Sequence, residues 1–362
     1  MKNFANFFAS KFGIIFSGSL IGLSAVVLQK YGNPGNMGFC IACFTRDIAG
    51  AVGLHRAAVV QYLRPEIFGI VLGAFLVSLA AKEFKPRGGA SPILRFFLGM
   101  MAMIGALVFL GCPWRTFLRL GGGDWNALFG LAGLVTGIFG GAMFIKSGYD
   151  LGDPAESRFS AGLIFPLFIL GLLSLRFIFP FIGQASNGII FYSLKGPGAQ
   201  HAPLVMSLLL GLGVGVIAQR ARFCTIGGFR DLFLFKQWHL LSGILSLLLT
   251  VFVLNVIVGQ FHPGFAGQPV AHTQSLWNFL GMVLAGLAFT LGGGCPGRQL
   301  VKAGEGDADA AVFSVGMLVG AAFSHNFLLA ASPKGIGTYS AIAVFIGLAL
   351  AVWIGFSMRE KA

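Results

Sequence analysis

The chain is short of charge, and of acidic residues above all. Only 10% of its 362 residues are charged, with 12 Asp and Glu against 25 Lys and Arg. A soluble globular chain carries about 25% charged residues, so this scarcity excludes a water-soluble protein. Hydrophobic residues make up 56% of the chain, and they fall in runs near the ~20 residues that cross a bilayer. The composition therefore predicts an integral membrane protein.

The sequence also lacks the motifs of several enzyme and binding classes. There is no Ser/His/Asp order, phosphate loop or nucleotide-binding cassette. Lys and Arg in loops explain the net charge of +13, and we expect no nucleic-acid partner because no basic soluble module is present. Five cysteines cannot all pair, and the six histidines share no spacing with them. We therefore predict free thiols, no metal site and no cofactor.

A duplicated set of cysteine motifs is the most informative feature that is present. Cys40 recurs as Cys224, and Cys112 recurs as Cys295, at offsets of 184 and 183 residues. Their neighbours recur as well: Arg46-Asp47 as Arg230-Asp231, Gly111 and Pro113 as Gly294 and Pro296, and Arg115 as Arg298. This regularity predicts a tandem duplication. In a membrane protein, paired halves that carry polar residues are typical of a transporter.

Hydropathy predicts an all-α polytopic fold with five membrane spans in each half. The N-terminal half is expected at 1–182, a linker at 183–202 and the C-terminal half at 203–362. The predicted spans are 12–30, 65–82, 93–112, 125–147, 159–182, 203–219, 239–259, 275–295, 309–330 and 337–357. The first span follows Lys11, and we expect it to be a retained helix rather than a signal peptide.

Two further segments, 38–54 and 222–236, are too short and too charged to cross the membrane. We expect both to be re-entrant, so that each enters and leaves on one side. Five spans per half is an odd number, which inverts the second half relative to the first. The loops on the side of the N terminus carry more Lys and Arg, counting Lys2 and Lys361. Both termini are therefore expected in the cytoplasm.

Each Gly-Cys-Pro motif is expected to break a helix inside the membrane. Proline lacks a backbone N–H and cannot continue a helix, but it suits the first turn of a following short helix. Cys112 and Cys295 would then lie where free N–H groups and the positive end of a helix attract an anion. The residues predicted to form these breaks are Gly111, Pro113, Gly294 and Pro296, with Arg115 and Arg298 adding charge.

Cys40 and Cys224 each precede an Arg-Asp pair by six residues. Two interpretations of these pairs stay open: an ion pair that tethers the re-entrant segment, or intramembrane charges that serve function. The two interpretations are compatible if Arg46 and Arg230 hold the segments while the two cysteines face the pathway. Cys43 has no counterpart in the second copy, which weakens the case for a C-x-x-C redox site.

At these motifs the chain resembles the YeeE/YedE family of bacterial membrane proteins, in particular the YedE branch associated with selenium metabolism. The residues that carry the resemblance are Phe39-Cys40, Gly111-Cys112-Pro113, Phe223-Cys224 with Arg230-Asp231, and Gly294-Cys295-Pro296. The resemblance implies an inverted repeat in the inner membrane, with short re-entrant helices that point at a central constriction. It also implies passage of thiosulfate along cysteine thiols, with Cys112 and Cys295 at the constriction and Cys40 near the outer mouth.

We therefore expect a transporter, not an enzyme, for a small sulfur- or selenium-containing anion. A neutral thiol is a weak donor, so it can hold an anion loosely enough to release it. The expected pathway is lined by Cys40, Cys112, Cys224 and Cys295, with Arg46, Arg115 and Arg119 at the outer mouth and Arg222, Arg230 and Arg298 at the inner mouth.

The partners expected are the inorganic anion, the lipid bilayer and a cytoplasmic sulfur or selenium carrier protein. Two alternatives stay open. One is a membrane thiol oxidoreductase or sulfurtransferase that uses Cys40 and Cys43. The other is a scaffold for selenium-handling proteins, in which replacing cysteines would leave function unchanged.

Overall fold

Among the described residues, ten apolar helices, four short α-helices and the 3-10 helix Pro197–Ala199 make up the fold. The computed structural model describes residues 7–359. The helices are α1 Lys11–Lys30, α2 Ile41–Ala51, α3 Pro65–Ala80, α4 Pro92–Phe109, α5 Pro113–Gly121, α6 Asn126–Lys146, α7 Phe159–Ile178, α8 Leu204–Arg220, α9 Thr225–Phe235, α10 His239–Ile257, α11 Ser275–Leu291, α12 Pro296–Gly304, α13 Ala308–Asn326 and α14 Ser340–Ser357. Two small antiparallel pairs join loops: β1 Arg87–Gly88 with β2 Ala155–Glu156, and β3 Ser186–Asn187 with β4 Ile190–Phe191.

The predicted all-α polytopic membrane fold is confirmed. Within residues 7–359, nine helical stretches are long and apolar enough to cross a membrane, and α3 is a shorter apolar helix of 16 residues. Each of the ten predicted spans overlaps one of these ten helical stretches, and its ends differ by up to four residues from those of the apolar helix there. The cytoplasmic location of the termini stays a prediction, and Lys2 and Lys361, which entered it, lie outside the described residues.

The four short helices lie at the duplicated cysteine motifs. Helices α2 and α9 have 11 residues each, and α5 and α12 have nine each. At 1.5 Å per residue these are about 16 and 13 Å long, roughly half of the ~30 Å hydrocarbon core. None of them can cross alone. The re-entrant course predicted for 38–54 and 222–236 fits this length and stays a prediction.

Helix bounds repeat along the chain. Helix α9 begins and ends 184 residues after α2, and α12 begins and ends 183 residues after α5. These are the offsets of the cysteine motifs themselves. The division into halves and the inverted orientation of the second half stay predictions.

Helices of one half pack closely on helices of the other through glycine. On α6, a Cβ at Gly133 or Gly137 would meet the backbone of α11 at Phe279 or Val283. Close approach of two backbones through small residues is the usual way in which membrane helices associate. The same pattern joins α3 to α8, where Gly73 faces Leu212.

We expect Gly137→Ala to destabilise the protein by about 1–3 kcal/mol, because the added methyl overpacks the α6–α11 contact. A Cβ there would lie 2.7 Å from the backbone nitrogen of Leu287. A Cβ at Gly140, on the same helix, would have nothing within 4 Å, so Gly140→Ala serves as the control and should be neutral or slightly stabilising. Thermal unfolding in detergent measures both. Equal melting temperatures for the two variants would contradict the packing described.

Candidate functional site

Each of the four duplicated cysteines is the residue that begins a short helix. Cys40, Cys112, Cys224 and Cys295 are the N-caps of α2, α5, α9 and α12. Three of the thiols accept a hydrogen bond from the first turn of their own helix, at 3.4 Å from Cys43 N, 3.2 Å from Gly227 N and 3.4 Å from Arg298 N. N-terminal N–H groups and the helix dipole give such a position positive character.

The structure brings the thiols together in two pairs, one in each half. The thiol of Cys40 interacts with that of Cys112, and the thiol of Cys224 interacts with that of Cys295. The backbone N–H of Cys295 also points at Cys224 Sγ, at 3.5 Å. Each pair therefore lies between the N-terminal ends of two short helices. A place where two helix N-termini converge suits an anion.

The first pair, Cys40 and Cys112, is closed off from solvent and lies beside a buried cation. Both cysteines and Arg115 are fully buried. The guanidinium of Arg115 donates to the carbonyl oxygens of Asn36 at 3.1 Å, of Pro269 at 3.1 Å and of Leu110, and its Nη1 lies 3.7 Å from Cys43 Sγ. Across residues 7–359, no carboxylate forms an ion pair with Arg115.

An unpaired buried cation is costly unless a charge of opposite sign comes to it. The repeat shows why Arg115 lacks such a partner. Its equivalent, Arg298, pairs with Glu305 at 3.2 Å, but the position equivalent to Glu305 in the first half is Gly122. The first half thus keeps a positive charge next to its thiols, which a bound anion can neutralise.

A charged cavity, here called the vestibule, lies near the second pair, Cys224 and Cys295. This cavity of about 470 Å³ is lined by Glu83, Lys85, Arg87, Arg222, Arg298 and Glu305. Arg222 bridges Glu83 at 2.8 Å and Glu305 at 2.7 Å. The backbone N–H of Arg298 is bonded to the Cys295 thiol, so the cavity and the thiol pair adjoin. Four basic residues against two acidic ones attract anions.

The ion pairs of Glu83 respond to pH. Burial alone would raise the pKa of Glu83, but the hydrogen bond from Gln219 and the charges of Arg220 and Arg222 outweigh it and hold the pKa below its ordinary value of 4.5. A lowered pKa stabilises the folded protein at every pH above the unfolded value, and the contribution is lost as pH falls through the folded value.

We expect Glu83→Gln to lower the melting temperature by about 2 °C at pH 7. At a pH below the folded pKa of Glu83 the variant and the wild type should melt together, since the carboxyl is then protonated in both. Melting curves across this range check the result. A difference that persists unchanged in acid would mean that the side chain acts through packing rather than charge.

The Arg-Asp pairs of the two copies have different surroundings. Asp47 pairs with Arg46 at 2.8 Å and with Arg64 at 2.7 Å, and all three side chains are buried. Arg64 precedes α3, so its ion pair joins α2 to α3. Arg230 pairs with its neighbour Asp231 at 2.7 Å and is half-buried, and this pair lies within α9 alone. The role of Arg46 and Arg230 in holding the segments stays a prediction.

The three arginines expected at the outer mouth, Arg46, Arg115 and Arg119, are all buried. Their place at an outer mouth stays a prediction. Loop residues Asn36 and Pro269 close over Arg115, and Arg119 pairs with Asp124 at 2.6 Å. Backbone carbonyl groups bind the guanidinium of Arg115, and the carboxylate of Asp124 binds that of Arg119, where water would bind at an open mouth.

The residues predicted to break the helices do so. Helix α4 ends at Phe109 and α5 begins at Pro113, while α11 ends at Leu291 and α12 begins at Pro296. Gly111 and Gly294 lie in the two intervening turns and are buried. All five cysteines are free thiols, and the described part of the chain holds no cluster of His, Cys, Asp or Glu that could hold a metal ion.

Comparison with known proteins finds a family likeness for the C-terminal part of the chain. Residues 220–358 match the family model described as sulphur transport. This segment is thus similar to the YeeE/YedE family of sulphur transport proteins. The matched segment contains Cys224 and Cys295 with the helices that they cap, so the family's sequence pattern coincides with the second thiol pair.

Two relatives carry a name that states a substrate. The thiosulfate transporter TsuA of Escherichia coli (strain K12) is 34% identical over 107 residues, which is 28% of this chain and 29% of the relative. The thiosulfate transporter TsuA of Spirochaeta thermophila is 31% identical over 99 residues, 27% of this chain and 29% of the relative. The matches thus span less than a third of the relatives' length.

Proposed function

We propose that this protein transports a small sulfur-containing anion across the bacterial inner membrane. The observation that carries the proposal is the pair of thiol sites, each placed between the N-terminal ends of two short helices. The helix ends attract negative charge, and thiols are weak donors that can let the anion go. The anion would pass along Cys40, Cys112, Cys295 and Cys224.

Thiosulfate is the substrate that we propose first, because the relatives above are thiosulfate transporters. A selenium-containing anion is the second candidate, since selenium presents the same soft, weakly hydrated surface to a thiol. Arg115, with no carboxylate partner among the described residues, would hold the anion at the closed first pair. The vestibule would then receive it and pass it to a cytoplasmic carrier protein.

Reciprocal packing between the halves supports an inverted repeat. Helix α3 runs parallel to α8, because Gly69 faces Leu208 and Gly73 faces Leu212. With α2 re-entrant, α1 and α3 are consecutive spans and would cross in opposite directions. Helix α8, the counterpart of α1, would therefore cross opposite to α1. In this orientation the two thiol pairs would lie toward opposite sides of the membrane.

The proposal is tested by uptake into liposomes that contain the purified protein. Labelled thiosulfate, sulfite, sulfate and selenite are offered separately, with protein-free liposomes as the control. We expect thiosulfate or selenite to enter faster than sulfate, whose oxygens are strongly hydrated. Uptake at the protein-free rate for every anion would reject transport of sulfur or selenium anions.

The same preparation separates transport from the two alternatives. An oxidoreductase or sulfurtransferase that used Cys40 and Cys43 would carry a disulfide or persulfide during turnover, which mass spectrometry detects. A scaffold would keep its cellular phenotype after cysteine substitution. We expect neither outcome.

A further inference from the structure

A single tryptophan joins the two thiol pairs. Trp114 lies two residues after Cys112, at the start of α5. Its ring packs edge to face against Phe223, the residue before Cys224, with ring centroids 5.8 Å apart. It also covers Gly297, two residues after Cys295, where an added Cβ would lie 2.7 Å from Trp114 Cζ2. The indole therefore touches the neighbours of both cysteines of the second pair.

Trp114 and Gly297 are equivalent positions of the repeat, since both follow the duplicated Cys-Pro by one residue. Two equivalent side chains that meet across the boundary of the halves compete for the same space. Here one half supplies a large ring and the other supplies none. The glycine leaves room for the indole, and a side chain at Gly297 would have to displace it.

The indole carries a buried donor without an acceptor. Trp114 is 1% exposed, and its Nε1 has no hydrogen-bond partner in the part of the chain that the structure describes. The ring carbon bonded to Nε1, Cε2, would lie 3.0 Å from a Cβ at Gly297. The six-membered ring thus lies against the N-terminal turn of α12, and Nε1 is one bond away from this contact. A buried N–H that lacks a partner is costly, and few such groups are left in native proteins.

We propose that the Trp114 indole N–H is the donor that the anion meets between the two thiol pairs, and that Trp114 selects for anions at this point. The inference rests on the proposed transport function. An indole N–H can only donate, so it favours an acceptor-rich anion over any cation. A neutral donor adds no charge that would trap the anion, as a second arginine there would. The ring itself fills the space and excludes water.

Trp114→Phe tests the donor, because it keeps an aromatic ring and removes only the N–H and part of the ring. We expect the initial rate of thiosulfate uptake to fall about tenfold or more, as for loss of a hydrogen bond to a charged group. Trp353, which is 61% exposed on α14, supplies the matched control. Trp353→Phe should transport like the wild type. Equal rates for the two variants would overturn the role of Trp114.

Fluorescence gives a second measurement that does not depend on how Trp114→Phe folds. A protein in which Trp125, Trp238, Trp277 and Trp353 are changed to Phe retains Trp114 as its one tryptophan. Titration with thiosulfate should change its emission with saturation, whereas chloride at equal ionic strength should not. If this variant still transports thiosulfate but its emission does not change on addition of thiosulfate, the inference is overturned. Failure of the wild type to transport any anion would reject the proposed function instead.

Discussion

Uptake of thiosulfate is expected to fall to the level of protein-free liposomes in Cys112→Ala and in Cys295→Ala. Each of these cysteines is the N-cap residue of a short helix, and its thiol faces a second thiol. Alanine removes the S–H donor, and no neighbouring side chain replaces it. The loss of one buried sulfur should cost folding only about 1 kcal/mol. Expression and melting temperature should therefore stay close to those of the wild type.

Serine at the same two positions tests the softness of the thiol. It keeps a donor, but a hydroxyl is harder and competes with water for an anion. We expect Cys112→Ser and Cys295→Ser to be nearly as inactive as the alanine variants. Cys43→Ala is the control, because the Cys43 backbone N–H, which substitution retains, donates to Cys40. Wild-type uptake by both alanine variants would show that the duplicated cysteines are packing residues.

The second large effect is expected at Arg115. Arg115→Gln should raise the KM for the anion about tenfold to a hundredfold, since a hydrogen bond to a charged group contributes about 1.5–3 kcal/mol. Arg115→Lys keeps the charge but cannot reach all the carbonyls that the guanidinium binds, so it should be intermediate. Uptake measured over a range of anion concentrations gives KM and the maximal rate separately.

Arg298 provides the matched comparison from the other half. It holds the equivalent place in the repeat but is paired with Glu305, and its side chain is 14% exposed. Arg298→Gln should therefore change KM less than Arg115→Gln does. The opposite order would contradict the view that the unpaired cation of the first half binds the anion.

Much of the fold was predictable because its signals are local. Runs of apolar residues predicted the ten spans, and the proline after Cys112 and Cys295 predicted where α5 and α12 begin. The caps at Cys40 and Cys224 were not predicted, since cysteine is not among the common N-cap residues. Nothing in the local sequence shows at which residue α2 or α9 begins.

The sequence predicted which cysteines belong to the candidate site, but it did not predict which thiol pairs with which. Which thiol meets which depends on contacts between residues 72 positions apart, as between Cys40 and Cys112, and no local pattern encodes them. Two other features left a signal that comparison of the two copies reveals. Gly122 is equivalent in the repeat to Glu305, so that no carboxylate among the described residues pairs with Arg115, and Gly297 is equivalent to Trp114.

The most direct test of passage along the thiols is reversible blocking of those thiols in liposomes. A small methanethiosulfonate adds one S–CH₃ group to each reactive cysteine, and a phosphine reductant removes it. We predict that thiosulfate uptake stops when mass spectrometry shows Cys112 and Cys295 modified, and that it returns on reduction. Uptake that continues at the unblocked rate with both cysteines fully modified would contradict the proposal.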